Sequence, residues 1–467
     1  MDISFGTDGW RAIIADKYTF SNLTIVTRAT GQWIVDEEVT RNGVVIGYDA
    51  RFMSREFAQH VASVFATMEI PVRLASSISP TPAVSWAAKH YDAVGIVITA
   101  SHNPPNYNGF KIKAPFGGSA TPDQIASVEQ RLTTVGDGFQ VRRFEDCLKL
   151  GLIRELSLTE QYLNVLRQKI DIEAIKKRGL KVGHDPMFGS GMGCIRQLLG
   201  DKVLELHSEV NPSFKGTPPE PIEKNLGEFS RFMIDNQCDI GIANDGDADR
   251  VGLFDENGDF VDSHRILSLL VKYLHEEKGL SGKIVKTFST TNMLNKQAES
   301  YGLPIETTPI GFKYIAEKIV NEDVIAGGEE SGGLSVKGHI PERDGLFIGL
   351  VVAEMLVKTG KKLSELVTEL FDEFGDHAYY RNDLHTEQHK KEAMIDYCTS
   401  EKLTSINGIE VVEREFIDGI KHHLADGSWL LVRPSGTEPV LRIYAEAETQ
   451  EQAQALVDDV SAKVDEM

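Results

Sequence analysis

Three aspartates at alternate positions, Asp245, Asp247 and Asp249, follow an apolar run in CDIGIANDGDADR (238–250). Alternate residues of an extended chain share a side, so the spacing predicts three carboxylates facing one point. A few carboxylates with room left for phosphate oxygens suit Mg²⁺. An EF-hand calcium loop is the competing pattern, because Glu256 stands at its twelfth position. Against it, Arg250 occupies the place of the required glycine, and the flank reads as strand where a helix is needed. A solvated acidic turn gives no reason for phased aspartates after a buried strand.

A second polar strand end lies in VGIVITASHNPPNYNGFK (94–111), where a β-branched run delivers Ser101 and His102 and then breaks at two prolines and Asn-Gly. Ser101 reads equally as a cap or turn residue and as a nucleophile. A hydrolase triad is disfavoured: neighbours on an extended chain point to opposite sides, and no G-x-S-x-G elbow surrounds the serine. Facing a Mg²⁺ site, its hydroxyl suits acceptance of a phosphoryl group. Lys111 and Arg250 are nearby cations for the remaining charge. RPSGTEP (433–439) carries Arg433, Ser435, Gly436 and Thr437, a cradle for a phosphate dianion or a simple hairpin turn. Arg442, on the strand that follows, can point back to the same spot. GGEESGG (327–333) offers Glu329 and Ser331, which are partners for vicinal sugar hydroxyls or the start of a helix. In GTDGWR (6–11), Arg11 is the phosphate candidate.

Elements must bring these segments together, and three stretches share a plan. Each has an early strand with a polar end, GVVIGYDAR (43–51), LKVGHDPMFGSG (180–191) and GKIVKTFSTT (282–291). Each then has a second apolar strand, 93–104, 238–250 or 323–333, that runs into one of the unusual loops. Helical-period segments such as SREFAQHVASVFATM (54–68) and FKYIAEKIV (312–320) lie between. Alternating strands and helices predict parallel, covered sheets, whose ligands sit at the carboxyl ends of the strands. After Gly375 the texture becomes α+β. The expected fold is three successive α/β domains with mixed or parallel sheets, 1–140, 141–253 and 254–373, plus a C-terminal α+β domain, 374–467. They carry the serine, metal, sugar and phosphate loops in that order.

A chain of 467 residues is too long for one core, and 41% hydrophobic with 25% charged residues is ordinary for a globular protein. A formal charge of −21 argues against nucleic acid and anionic membranes as partners, while leaving small anions to local arginines and lysines. Cys147, Cys194, Cys238 and Cys398 are far apart without a CxxC pair, as in a reducing compartment. MDISFGTDGW reads as no signal peptide, and the apolar stretch from Gly345 to Val357 is interrupted by Glu354 and too short to span a bilayer. A cytoplasmic protein is expected.

Taken in order, TASHNPPNYNGFK, DGDADR, GEESGG and RPSGTEP, with FGTDGWR near the start, resemble the signatures of the α-D-phosphohexomutase superfamily over essentially the whole chain. The resemblance implies four domains around a deep cleft and Ser101 as a phosphorylated serine. It implies Mg²⁺ on Asp245, Asp247 and Asp249 together with that phosphoserine. Glu329 and Ser331 would contact sugar O3 and O4, while Arg433, Ser435, Gly436 and Thr437 would hold the phosphate that is not reacting. Arg11, Lys111 and Arg250 match basic residues near the transferred group, with Lys111 or His102 in proton transfer.

The reaction implied passes phosphate from the serine to O6 of glucose 1-phosphate, and glucose 1,6-bisphosphate is its intermediate and activator. The bisphosphate turns end for end and returns a phosphoryl group from O1, leaving glucose 6-phosphate. GEESGG with TPIGFK (308–313), ending in Lys313 as a further substrate contact, and HIPERDG (339–345) is more similar to glucose-specific phosphoglucomutases. Phosphoglucomutase/phosphomannomutase enzymes tend to carry His where Gly333 stands, and phosphoglucosamine mutases usually carry Gln at Glu330. The alternatives are a glucose-1,6-bisphosphate synthase, a mannose or glucosamine mutase, and a noncatalytic sugar-phosphate binder. Hexose phosphates are the expected partners, and the sequence does not distinguish monomer from homodimer.

Overall fold

The computed structural model describes residues 3–6, 8–136, 138–400, 402–434 and 440–467. The first sheet contains β1 (Trp10–Ile13), β2 (Val44–Tyr48), β3 (Val72–Ala75), β4 (Val94–Ile98), β5 (Tyr107–Lys113) and β6 (Ile153–Leu156), in the order β1-β5-β4-β2-β3-β6. Its last strand, β6, pairs parallel with β3 and lies beyond the boundary expected at 140. The second sheet has β7 (Val182–Asp185), β8 (Val203–Glu205), β9 (Ile240–Asn244), β10 (Val251–Phe254) and β11 (Phe260–Val261), in the order β11-β10-β9-β7-β8. It too runs past an expected boundary, at 253. The third has β12 (Lys283–Thr287), β13 (Ile305–Thr308), β14 (Val324–Gly328) and β15 (Leu334–Val336), in the order β13-β12-β14-β15.

One unit recurs in all three. β2 with β4, β7 with β9 and β12 with β14 are parallel pairs, and each second strand then turns back antiparallel as β5, β10 or β15. The turn after each second strand is one of the loops singled out above. The fourth sheet is antiparallel, with β16 (Ala378–His385), β17 (Ser405–Ile406), β18 (Ile409–Glu415), β19 (Ile420–Leu424), β20 (Trp429–Pro434) and β21 (Val440–Ala447).

Apolar period explains the covering helices. The helix Ser54–Thr67 buries Phe57, Val61 and Phe65 on one stripe. The helix Gly345–Thr359, apolar all round, is buried through most of its length, and Asp344 caps it by accepting the Phe347 N–H at 3.0 Å. This helix joins one hydrophobic core that serves the second and third sheets together. The first and fourth sheets have cores of their own, and Phe288 packs with Trp429, Leu431 and Tyr444 where the third and fourth sheets meet. The four cysteines are buried and free, and among the described residues no helix is long and apolar enough to cross a membrane.

Candidate active site

At the end of β4 the backbone must find partners as it leaves the sheet. Thr99 Oγ1 accepts the Ser101 N–H at 2.8 Å and donates to Asp49 Oδ2 at 2.6 Å. Ser101 takes a left-handed backbone, φ 52°, which a serine keeps only where its surroundings impose it. Arg51 imposes it: its guanidinium donates to the carbonyls of Ser101 at 2.5 Å, Asn103 at 2.6 Å, Pro104 at 2.8 Å and Tyr107 at 3.1 Å. Asp49 holds that guanidinium from behind, 3.1 Å from Nε.

This turn corrects the expectation for His102. The chain is not extended here, so His102 Nδ1 lies 3.4 Å from Ser101 Oγ, not on the opposite side. Burial, then the charges of Arg250, Arg11 and Lys111, push the His102 pKa well below the usual imidazole value.

The aspartates are likewise grouped by a turn, with Ala248 at φ 59°, and not by strand alternation. Their carboxylate oxygens lie within 4.8 Å of one another. Ser101 Oγ donates to Asp245 Oδ2 at 2.7 Å across the boundary between the first two sheets. Such an approach requires glycine at 246, where a Cβ would sit 2.4 Å from the Ser101 carbonyl oxygen. Asp247 Oδ2 accepts from Thr81 Oγ1 at 2.5 Å and from Lys111 Nζ at 2.8 Å. Asp249 Oδ2 accepts from Lys111 at 3.2 Å and pairs with Arg343 Nη2 at 2.8 Å.

Asp247 Oδ1 and Asp249 Oδ1 are buried with no hydrogen-bond partner among the described residues. Orphaned carboxylate oxygens beside a third carboxylate fit a hard divalent cation with oxygen ligands, such as Mg²⁺. Burial and repulsion from Asp247 and Asp249 push the Asp245 pKa well up. For Asp247, burial opposes the charge, but Lys111 and the Thr81 hydroxyl outweigh it and hold the carboxyl below the usual range.

Lys111 is buried against three carboxylates, with Asp8 Oδ2 at 2.7 Å as the third. Burial disfavours its charge, yet Asp247, Asp249 and Asp8 together raise its pKa above the ordinary lysine value. Arg11 donates to Asn103 Oδ1 at 2.6 Å, in the serine loop. Arg250 gives its backbone N–H to Asp245 Oδ1 at 3.0 Å, reaches Glu220 at 3.5 Å, and bridges by its backbone to Gly333. The metal-type turn and the Glu329 turn therefore touch.

Glu329 is buried, and its pKa rises to about 7 because burial outweighs the attraction of Arg343. Ser331 is half-buried in the same turn, which the Glu329 N–H closes on Gly333 O at 3.0 Å. Arg433 pairs with Asp418 at 2.9 Å and stands directly opposite Arg442 on the β20–β21 ladder. Ser435, Gly436 and Thr437 lie outside the described residues. Lys313 rests over the Tyr314 ring at 5.1 Å, with no hydrogen bond or ion pair to the other candidates among the described residues.

Sequence reading passed over Asp8, Arg51, Thr81 and Arg343. Arg343 pairs with Asp8, with Asp249 at 2.8 Å and with Glu329 at 3.9 Å, joining the segments 6–11, 244–250 and 327–333. Beside it, Lys113 pairs with Glu342 at 2.7 Å. Arg51 closes GYDAR and Arg343 lies in HIPERDG, so a charged residue ending a buried segment was the available signal.

Family models match in four consecutive parts: phosphoglucomutase/phosphomannomutase alpha/beta/alpha domain I over residues 2–137, domain II over 160–258, domain III over 262–374 and the C-terminal domain over 395–463. A phosphoglucomutase/phosphomannomutase of Thermococcus kodakarensis is 32% identical over 453 residues, covering 96% of this chain and 95% of that protein. A candidate phosphoglucosamine mutase of Pyrococcus abyssi is 32% identical over 475 residues, covering 97% and 96%. The crystal structure of a candidate phosphomannomutase from Thermus thermophilus matches with a TM-score of 0.87 at 32% identity, covering 100% of this chain and 99% of that one.

Proposed function

Because the chain belongs to the phosphoglucomutase/phosphomannomutase family, we propose that it moves a phosphoryl group between O1 and O6 of glucose by way of Ser101. The enzyme is a phosphohexomutase, an isomerase that transfers phosphate within a hexose phosphate. The observation that carries the serine's role is its hydroxyl, 2.7 Å from Asp245 within the group of three carboxylates. Binding alone needs no nucleophile there.

In the forward direction phosphorylated Ser101 gives its phosphoryl group to sugar O6. The bond from phosphorus to Oγ breaks, the bond to O6 forms, the O6 proton leaves to a base, and the freed Oγ takes up a proton to restore the serine hydroxyl. His102, with Nδ1 3.4 Å from Ser101 Oγ, is the acceptor we assign, and Lys111 and Arg250 balance charge around the transferring group together with Arg11. Mg²⁺ held by Asp245, Asp247 and Asp249 would neutralise phosphoryl charge during transfer. Glu329 and Ser331 offer oxygens to O3 and O4 of the sugar. Arg433 and Arg442, with Ser435, Gly436 and Thr437, take the phosphate at the far end, and Lys313 is a further substrate contact in this reading. A second transfer, after glucose 1,6-bisphosphate has turned round, returns phosphate from O1 to Ser101. Recognition of either end explains why the phosphate cradle belongs to a domain apart from the serine.

Gly333, where phosphoglucomutase/phosphomannomutase enzymes tend to carry His, is the ground for glucose over mannose in this reading. A Cβ at this position would fall 2.4 Å from Arg343 Cδ, so a bulkier residue would displace the arginine that ties Glu329 to Asp249. A panel of glucose, mannose and glucosamine 1-phosphates with Mg²⁺, with and without glucose 1,6-bisphosphate, tests the reading. Glucose 1-phosphate should turn over fastest, and Ser101→Ala should lose more than about 10³-fold in kcat. Residual full activity in that variant would falsify the serine mechanism. Equal turnover of mannose 1-phosphate would remove the glucose preference, and free bisphosphate without isomerisation would indicate a synthase.

A further inference from the structure

Glu330 sits between the two residues assigned to the sugar, yet its carboxylate turns the other way. It accepts from Arg381 Nη1 at 3.1 Å, on β16 of the fourth domain, and from Ser289 Oγ at 3.3 Å. Its backbone carbonyl accepts from Ser263 Oγ at 2.5 Å, so both ends of the residue are occupied. The Glu330 side chain is 7% exposed and that of Arg381 32%.

Arg381 is itself held. Its Nε donates to Asp383 Oδ1 at 2.8 Å and its Nη2 to Asp383 Oδ2 at 2.7 Å, a two-point grip that leaves Nη1 for Glu330. The guanidinium lies over the Tyr444 ring at 5.5 Å. Asp383 stands opposite Arg442 in the β16–β21 ladder, 3.9 Å from its Nε, and Arg442 stands opposite Arg433 in the next. A series of charged contacts thus leads from the Glu329–Ser331 turn to Arg442, which the β20–β21 register sets opposite Arg433.

We propose that the Glu330–Arg381 ion pair is a latch that sets the fourth-domain arginines at their working distance from the sugar turn. Glu330 is then a positioning residue and not a sugar contact. The proposal rests on the mutase reading above, since it takes Glu329 and Ser331 as the sugar end and Arg433 as the phosphate end. Its consequence is that sugar and distal phosphate are bound together more weakly when the pair is broken. The bidentate hold on Arg381 suits this role, because a planar fork fixed by Asp383 transmits position where a flexible lysine would not.

Steady-state kinetics of Glu330→Ala, Arg381→Met, the double variant and the exchanged pair Glu330→Arg/Arg381→Glu test it. Each single variant should raise KM for glucose 1-phosphate about tenfold while kcat stays within about threefold. The double variant should be no worse than either single one, and the exchanged pair should recover part of the loss. Hydrolysis of the phosphoserine by water should rise in the single variants, which a residue needed only for folding would not produce. Additive losses, or an unchanged KM, would overturn the latch. So would a change by Glu330→Gln in preference between glucose 1-phosphate and glucosamine 1-phosphate, because that would make Glu330 a sugar contact. If the wild-type enzyme prefers mannose 1-phosphate, the substrate reading fails and the same KM pattern is read with that sugar.

Discussion

At the scale of single residues, the chemistry depends on which groups burial and neighbours leave charged. Glu329 is the informative case, because burial pushes its pKa up to about 7. As the anion it is the stronger acceptor for a sugar hydroxyl. KM for glucose 1-phosphate should therefore fall as pH rises through about 7, whereas Glu329→Gln should lack that step and hold a higher KM throughout. The substrate phosphate titrates near pH ~6 with both enzymes, so the difference between the two profiles carries the test. Stability runs the other way. A carboxyl raised above its unfolded value contributes stability below that value and loses it as pH rises through the folded one. Denaturant titrations should thus show wild type losing stability relative to Glu329→Gln as pH rises from 4.5 through about 7. The loss should be at most about 3 kcal/mol. The residue types at Ser101, Asp245, Asp247, Asp249 and Glu329 were legible because chemistry-bearing side chains stood out at strand ends. The Glu329 pKa was not, since it arises from burial and from Arg343, a residue close only in space.

At the scale of elements, the turn after β4 depends on a strand that neighbours it in the sheet but not in the chain. Arg51 follows β2, and its donors reach four carbonyls between Ser101 and Tyr107. Arg51→Lys would keep the charge near Asp49 and lose the fork. The serine loop should relax, and kcat should drop about 100-fold with KM for glucose 1-phosphate nearly unchanged, because the sugar and distal phosphate contacts proposed above lie elsewhere. Rapid-quench measurement of phosphoserine formation would locate the loss in the transfer step; a loss confined to KM would refute the assignment. The strands themselves were readable from β-branched runs and polar ends, and the helices from apolar period. The three carboxylates converge as expected, but strand alternation is not the cause there or at Ser101: each strand ends first, and a left-handed residue, Ser101 or Ala248, turns the chain.

At the scale of the molecule, buried charge ties the first three domains while the fourth keeps a core of its own. Arg343 faces Asp8, Asp249 and Glu329, all buried or nearly so; its removal would leave Lys111 to balance Asp8 and Asp249 and would take the paired cation from Glu329. Arg343→Met should cost about 3–5 kcal/mol. Calorimetry should show the loss in the transition of the larger unit, with the fourth-domain transition little displaced. A uniform shift of both transitions would contradict this division. The shared core of the second and third sheets gives the same expectation for Leu350→Ala, which would weaken both together.

Sequence alone determined the kinds of chemistry, their order along the chain and the repeated strand–loop plan, because these follow from residue type and local periodicity. Tertiary structure decided the partners. The 2.7 Å approach of Ser101 to Asp245, the clamp of Arg51, the hub at Arg343 and the pairing of Glu330 with Arg381 all join segments far apart in the chain. Local pattern carries no information about such approaches. They depend on which strand ends the packed sheets bring to one side, and on a glycine, as at 246, that lets two backbones meet.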